Sequence, residues 1–183
     1  MEIHNPPNIG RLHNDLDDAV TNGLVENFAI ADDFISYRHP EFPINSSSRK
    51  ESRFFRAGTT SYYSASGVST AQAEVQDYEW RKTCYLRNGF VFAFNLPQFA
   101  NEYGYGDLFI HASDTGGWRI CQEVGHYLTE QHGLSGILYQ SQKMSNVGNF
   151  GLNLAIRPVN PTMEIELFRP REESLTSLTA LSN

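Results

Sequence analysis

The stretch Tyr62-Tyr63-Ser64-Ala65-Ser66-Gly67-Val68-Ser69-Thr70-Ala71-Gln72-Ala73-Glu74-Val75 passes directly from a short aromatic strand into a helix, and puts a carboxylate on that helix. A strand that hands over at once to a helix commits this part of the chain to a sheet with helices packed on it. Ser69, followed three residues later by Gln72, reads as a capping box. The helix is therefore expected to begin at Ser69 and to carry Glu74 in its second turn. Ala71, Glu74 and Tyr78 then fall on one face, with Val75 alongside. A carboxylate on a partly apolar face loses hydration and stays only if a cation, a hydrogen-bond donor or a polar ligand compensates it. The same pattern also describes a surface glutamate near the positive end of a helix dipole, and periodicity alone leaves both readings open.

The chain has 183 residues, enough for one domain with a core that needs no metal or disulfide. A net charge of −7 and a pI near 5.3 argue against a duplex nucleic-acid partner or an anionic membrane surface, while leaving room for a local basic pocket. No apolar run is long enough to span a bilayer, and Met1-Glu2-Ile3-His4-Asn5-Pro6-Pro7 lacks the charged and apolar regions of a signal peptide. A cytosolic place of action is the expectation. Cys84 and Cys121 stand far apart and in no metal-ligand spacing, which predicts two small buried or half-buried thiols. His111, His126 and His132 likewise show no HExxH spacing, and no metal is expected.

Three segments are expected along the chain: a polar, partly ordered leader over 1–33, a main body over 34–170, and a flexible tail over 171–183. Phe34 to Arg38 reads as a short strand ended by His39-Pro40, with Arg38 emerging at its end. The polar, serine-rich run from Asn45 to Ser52 reads as a solvated loop that could act as a lid. Arg53-Phe54-Phe55-Arg56 and Ser61-Tyr62-Tyr63-Ser64 are short strand candidates around Gly58-Thr59-Thr60. Phe90-Val91-Phe92-Ala93-Phe94 is the clearest strand, bounded by Gly89 and Pro97, and is expected to be core. The span from Ala100 to Gly106 reads as a loop whose tyrosines serve packing. A second helix is predicted from about Trp118 to Glu130, stopped by Gly133. Gly136-Ile137-Leu138-Tyr139, Asn153-Leu154-Ala155-Ile156 and Met163-Glu164-Ile165-Glu166-Leu167 read as further strands. The order of elements predicts an α+β single domain, with mixed or antiparallel sheets and flanking helices. There is no Walker or dinucleotide-fold glycine loop and no internal repeat.

The groups with chemical potential are Glu74, Arg38 at a strand end, Arg53, Tyr63, and Ser141 just past an apolar strand. Ser141 lacks the Gly-x-Ser-x-Gly surroundings of a nucleophile elbow, so a polar contact or a turn role is expected of it.

Five pieces of the chain together resemble the RES domain. They are Tyr37-Arg38, Arg53-Phe54, Tyr62-Tyr63 with Thr70-Ala71-Gln72-Ala73-Glu74-Val75, Gly136-Ile137-Leu138-Tyr139-Gln140-Ser141, and Gly151-Leu152-Asn153-Leu154-Ala155-Ile156. That family is named for an arginine, a glutamate and a serine, and the matching positions are Arg38, Glu74 and Ser141, with Arg53 or Arg56 as alternatives for the arginine. The resemblance spans roughly Phe34 to Phe168. It implies an ADP-ribosyltransferase-like fold and a toxin that consumes NAD as substrate, with no bound cofactor and with an antitoxin or immunity protein as partner.

On that footing the expected reaction is cleavage of the nicotinamide–ribose bond, with water or inorganic phosphate as acceptor and hydrolysis ranked slightly ahead. Arg38 would hold a phosphate, Arg53 would assist, and Tyr63 would frame the nicotinamide. Glu74 would stabilise the positive charge that develops on the ribose, and Ser141 would position the substrate. The alternatives are a mono-ADP-ribosyltransferase acting on a protein or nucleotide, and a silent domain that binds a nucleotide or partner without turnover.

Overall fold

The computed structural model describes residues 7–29, 35–37, 51–59, 61–75, 83–86, 90–111, 118–157 and 171–174. Among them, eight strands form one mixed sheet: β1 (Val25–Ala29), β2 (Ile35–Tyr37), β3 (Tyr62–Ala65), β4 (Thr83–Leu86), β5 (Phe90–Asn95), β6 (Gly136–Gln140), β7 (Leu152–Ile156) and β8 (Arg171–Ser174). Their spatial order is β1-β5-β6-β7-β3-β2-β4-β8. β5 and β6 run parallel, and every other neighbouring pair is antiparallel. Among the same residues, five helices accompany the sheet: α1 (Ile9–Thr21), α2 (Val68–Val75), α3 (Leu96–Glu102), α4 (Arg119–His132) and α5 (Gln142–Asn146). The mixed α and β architecture with flanking helices is as expected.

Register decides which side chains meet. Directly opposed residues of an antiparallel pair share a face, so Tyr63, Ala65, Ile137, Tyr139, Asn153 and Ala155 project to one side of the sheet. On that side Ile137, Tyr139 and Ala155 join the main core with Leu12 and Leu16 of α1, Phe99 of α3, and Val124 and Leu128 of α4. Leu138, Leu154 and Ile156 point the other way and pack with Val91 and Ala93. In β5 the expected core role holds for Val91, Ala93 and Phe94, which are fully buried, whereas Phe90 and Phe92 are 66% and 57% exposed.

Several local expectations change. Part of the segment read as a polar leader forms α1 and β1. α1 buries only Leu12, Leu16 and Ala19, a stripe narrow enough to be lost among its polar residues. The Asn8 side chain caps it by accepting from the Arg11 amide at 3.1 Å. Arg53-Phe54-Phe55-Arg56 is not a strand. Phe54 and Phe55 are both buried, and the Ser52 amide closes a turn onto the Phe55 carbonyl at 2.9 Å. α4 holds this turn closely: a Cβ on Gly125 would lie 2.1 Å from the Phe54 carbonyl oxygen, so only glycine permits the approach. Pro97 does not end a strand but sits in the first turn of α3, where its missing N–H is no loss. α3 and a 3-10 turn at Gly106–Phe109 occupy much of the predicted loop, and Tyr103 and Tyr105 stack on Phe99 at 4.9 and 5.1 Å.

α4 ends as predicted on Gly133, in the left-handed conformation at φ 65°. β8 lies in the segment read as a flexible tail and pairs with β4. The strand expected at 163–167, the lid at 45–52 apart from its last two residues, Tyr78 and Arg38 all lie outside the described residues. No helix among the described residues is long and apolar enough to cross a membrane.

Candidate functional site

At one end of the two central strands, β3 and β7, α2 and α5 close in to form a corner, and the backbone there is tied at several points. The Ser66 amide donates to the Leu152 carbonyl at 2.9 Å, and the Leu152 amide returns a bond to Ser66 Oγ at 3.1 Å. The Ser141 amide donates to the Gly151 carbonyl at 2.8 Å. Gly151 allows α2 to close in, because a Cβ there would fall 2.5 Å from Thr70 Oγ1 and 2.8 Å from Met144 Cγ. α2 starts at Val68, ahead of the predicted Ser69, with the Ala71 amide bonded to the Gly67 carbonyl at 3.0 Å. Ser69 is exposed, and Ser66 is the serine that binds backbone.

Glu74 comes from α2 and is half-buried. Its Oε1 accepts from Ser141 Oγ at 2.6 Å and from Asn153 Nδ2 at 2.7 Å. Ser141 is fully buried and is the N-cap of α5, so its Oγ also accepts from the Met144 amide at 3.2 Å. With its proton given to Glu74 and a lone pair given to the helix, the hydroxyl is held in one rotamer. Oε2 of Glu74 receives no hydrogen bond among the described residues.

Arg53 flanks this corner. Its Nη2 donates to the Oε1 of Gln142, the residue after Ser141, at 2.9 Å, and its guanidinium carbon sits 5.3 Å from the Tyr139 ring centroid. Arg56 points elsewhere and pairs with Glu123 of α4 at 3.2 Å. Tyr63 meets Tyr139 edge-on at 6.4 Å. Tyr63 is half-buried as a residue, but its hydroxyl is enclosed and makes no full hydrogen bond among the described residues. Burial pushes that hydroxyl up to about 12, against the pull of Ser52, the Phe54 backbone and Arg53. Cys121 is likewise pushed up to about 12 by burial, with Arg53 opposing.

A cavity of about 210 Å³ reaches the corner at Tyr139 and Gln140 and extends under Leu96, Phe109 and Ile110. A second, of about 240 Å³, lies between Phe54, Arg56, His126 and Arg157. Neither is lined by Glu74 or Ser141. No group of three or more metal-ligating side chains occurs among the described residues. His132 Nε2 lies 2.8 Å from Asp17 Oδ1, and His126 lines the second cavity.

The structure thus brings Glu74 and Ser141 into direct contact, sets Arg53 one residue away through Gln142, and leaves Tyr63 behind Tyr139. Asn153 was not among the residues singled out from sequence. An amide inside the apolar run Leu152–Ile156 was the available signal. No protein-family model matches the chain, and no curated protein matches it significantly.

Proposed function

We propose that the Glu74 corner cleaves the bond between nicotinamide and ribose in NAD, and that the chain is an NAD-consuming toxin of RES type. The observation that supports this reading is the 2.6 Å contact between Glu74 and Ser141, two positions 67 residues apart that the RES resemblance pairs. NAD joins a dianionic pyrophosphate to a cationic nicotinamide ring, and its site calls for a guanidinium, an aromatic face and a carboxylate. Glu74 supplies the carboxylate and Arg53 the guanidinium within this corner, with the buried Tyr139 ring backing the guanidinium.

In this reading Oε2 of Glu74 hydrogen-bonds a hydroxyl of the nicotinamide ribose. It stabilises the oxocarbenium-like charge that grows as nicotinamide leaves with the bonding electron pair. Ser141 fixes the carboxylate and, through it, the ribose. Arg53 and Arg38 hold the pyrophosphate, Arg53 from its place on Tyr139. Water as acceptor yields ADP-ribose, phosphate yields ADP-ribose 1″-phosphate, and a protein side chain yields ADP-ribosylation.

The test is to incubate the purified protein with NAD, with and without inorganic phosphate, and to follow nicotinamide and the second product together. Release of nicotinamide with ADP-ribose supports hydrolysis, and a phosphate-dependent product supports phosphorolysis. Transfer of label from NAD to protein in a cell extract identifies a transferase. No nicotinamide under any of these conditions overturns the proposal. A toxin also predicts that bacteria yield little of the unmodified chain and far more of Glu74→Gln.

A further inference from the structure

We infer that Asn153 sets the orientation of the Glu74 carboxylate and is a positioning residue for the bond cleavage proposed above, on which the catalytic half of this inference rests. Asn153 is fully buried on β7, between Leu152 and the buried Leu154, Ala155 and Ile156. Its Nδ2 donates to Glu74 Oε1 at 2.7 Å, whereas its Oδ1 is buried with no hydrogen-bond partner among the described residues. An orphaned buried acceptor is destabilising, and an apolar side chain of similar size would avoid it. Asparagine at this position is therefore explained by its donor. Aspartate would set a second acid against Glu74, and leucine would give Glu74 nothing.

One donor alone does not fix a carboxylate, because the terminal torsion of glutamate is broad and nearly two-fold. Ser141 approaches Oε1 from the cap of α5, and Asn153 approaches the same oxygen from a strand whose register is locked on both sides by β3 and β6. Two donors from separate rigid elements define the carboxylate plane and hence the direction in which Oε2 faces. A substrate hydroxyl that bonds Oε2 inherits that direction. Loss of Asn153 should then lower turnover more than binding, since orientation matters most where charge develops.

The closing experiment compares wild type with Asn153→Leu, which removes donor and orphan together, and with Asn153→Ala as a smaller replacement should leucine not fold. The expected result is a kcat for nicotinamide release lower by about 10–100-fold. KM should change by no more than about threefold, as for an interaction used in the transition state. A crystal structure of the variant should show the Glu74 carboxylate turned off Ser141 or spread over more than one rotamer. An unchanged kcat, or a loss carried by KM, overturns the inference. So does a carboxylate left in place on Ser141, whatever the activity. If the wild type releases no nicotinamide, the NAD-cleaving reading falls, while the structural arm still decides whether Asn153 holds Glu74.

Discussion

Asp15, Asp17 and Asp18 on α1 and Glu74 on α2 all accept hydrogen bonds from hydroxyl groups far away in sequence, yet their donors differ in burial. Tyr105 donates to Asp15 at 2.8 Å, Tyr127 to Asp17 at 3.0 Å, and Tyr103 to Asp18 at 2.6 Å. On the same seam His13 meets Glu123 at 2.9 Å, and the His13 ring stacks on Tyr127 at 3.8 Å. Asp18 is exposed and the three tyrosine donors are half-buried, so each bond is a modest staple joining α1 to α4 and to the turns after α3. Glu74 takes its bonds from two fully buried donors, one of which carries an orphaned acceptor. Staples on a wet seam contribute stability in small steps. A half-buried carboxylate gripped by buried donors, one with an unsatisfied acceptor, is a poor device for stability and a good one for holding a side chain in a fixed direction.

The comparison would break most visibly at Glu74 itself. Glu74→Gln keeps shape and should reduce nicotinamide release by about 10²–10³-fold, the range seen when one electrostatic stabiliser is removed. Little change in melting temperature should accompany it, and a calorimetric scan beside the rate assay checks both. Were stability lost and turnover kept, the corner would be a clamp like the α1 seam. Arg53→Ala should raise KM for NAD by about tenfold, as expected for loss of a charge-assisted contact to phosphate, with a smaller effect on kcat. Ser141→Ala sits on both sides of the comparison. It removes a helix N-cap, a loss of about 1 kcal/mol by denaturant titration, and it also lowers kcat.

On the wet seam, Asp17→Ala frees Tyr127 and His132 from their shared acceptor and should cost about 0.5–1 kcal/mol with activity unchanged, because the Asp17 side chain is 50% exposed. The smallest effect is expected from Tyr63→Phe, which deletes an enclosed hydroxyl and should leave stability at pH 7 equal or slightly higher. Its signature is at alkaline pH. The Tyr63 phenol is raised in the folded state from 10.0 to about 12, so its contribution is complete below about pH 10 and is lost as pH rises toward 12. Melting temperature should therefore fall less steeply over that window in Tyr63→Phe than in wild type. Tyr105 and Cys121, also raised to about 12, keep part of the slope in both.

How much was legible in the chain follows from how local each signal is. β5, β6, β7 and β3 announce themselves as apolar or aromatic runs, and α4 carries both its periodic stripe and its glycine stop. α1 was obscured because three buried residues suffice to dock it, while its aspartates face the tyrosines and histidines that staple it. The turn at Phe54 and Phe55 looks like a strand because aromatic content signals burial without saying on which face. Ser141 was read as a turn or polar-contact residue, and the N-cap and its bond to Glu74 fit that reading. Asn153 escaped notice because its meaning lies in a partner 79 residues away. Arg38 lies outside the described residues, and among the described residues Arg53 is the guanidinium beside the corner.

The most direct test of the central claim is a crystal structure of Glu74→Gln soaked with NAD. The account predicts the nicotinamide ribose within about 3.5 Å of the substituted side chain at position 74, as a near-attack arrangement requires, with a pyrophosphate oxygen on Arg53. NAD seated instead in the cavity beside Arg56 and His126, or absent at saturating concentration, would contradict it.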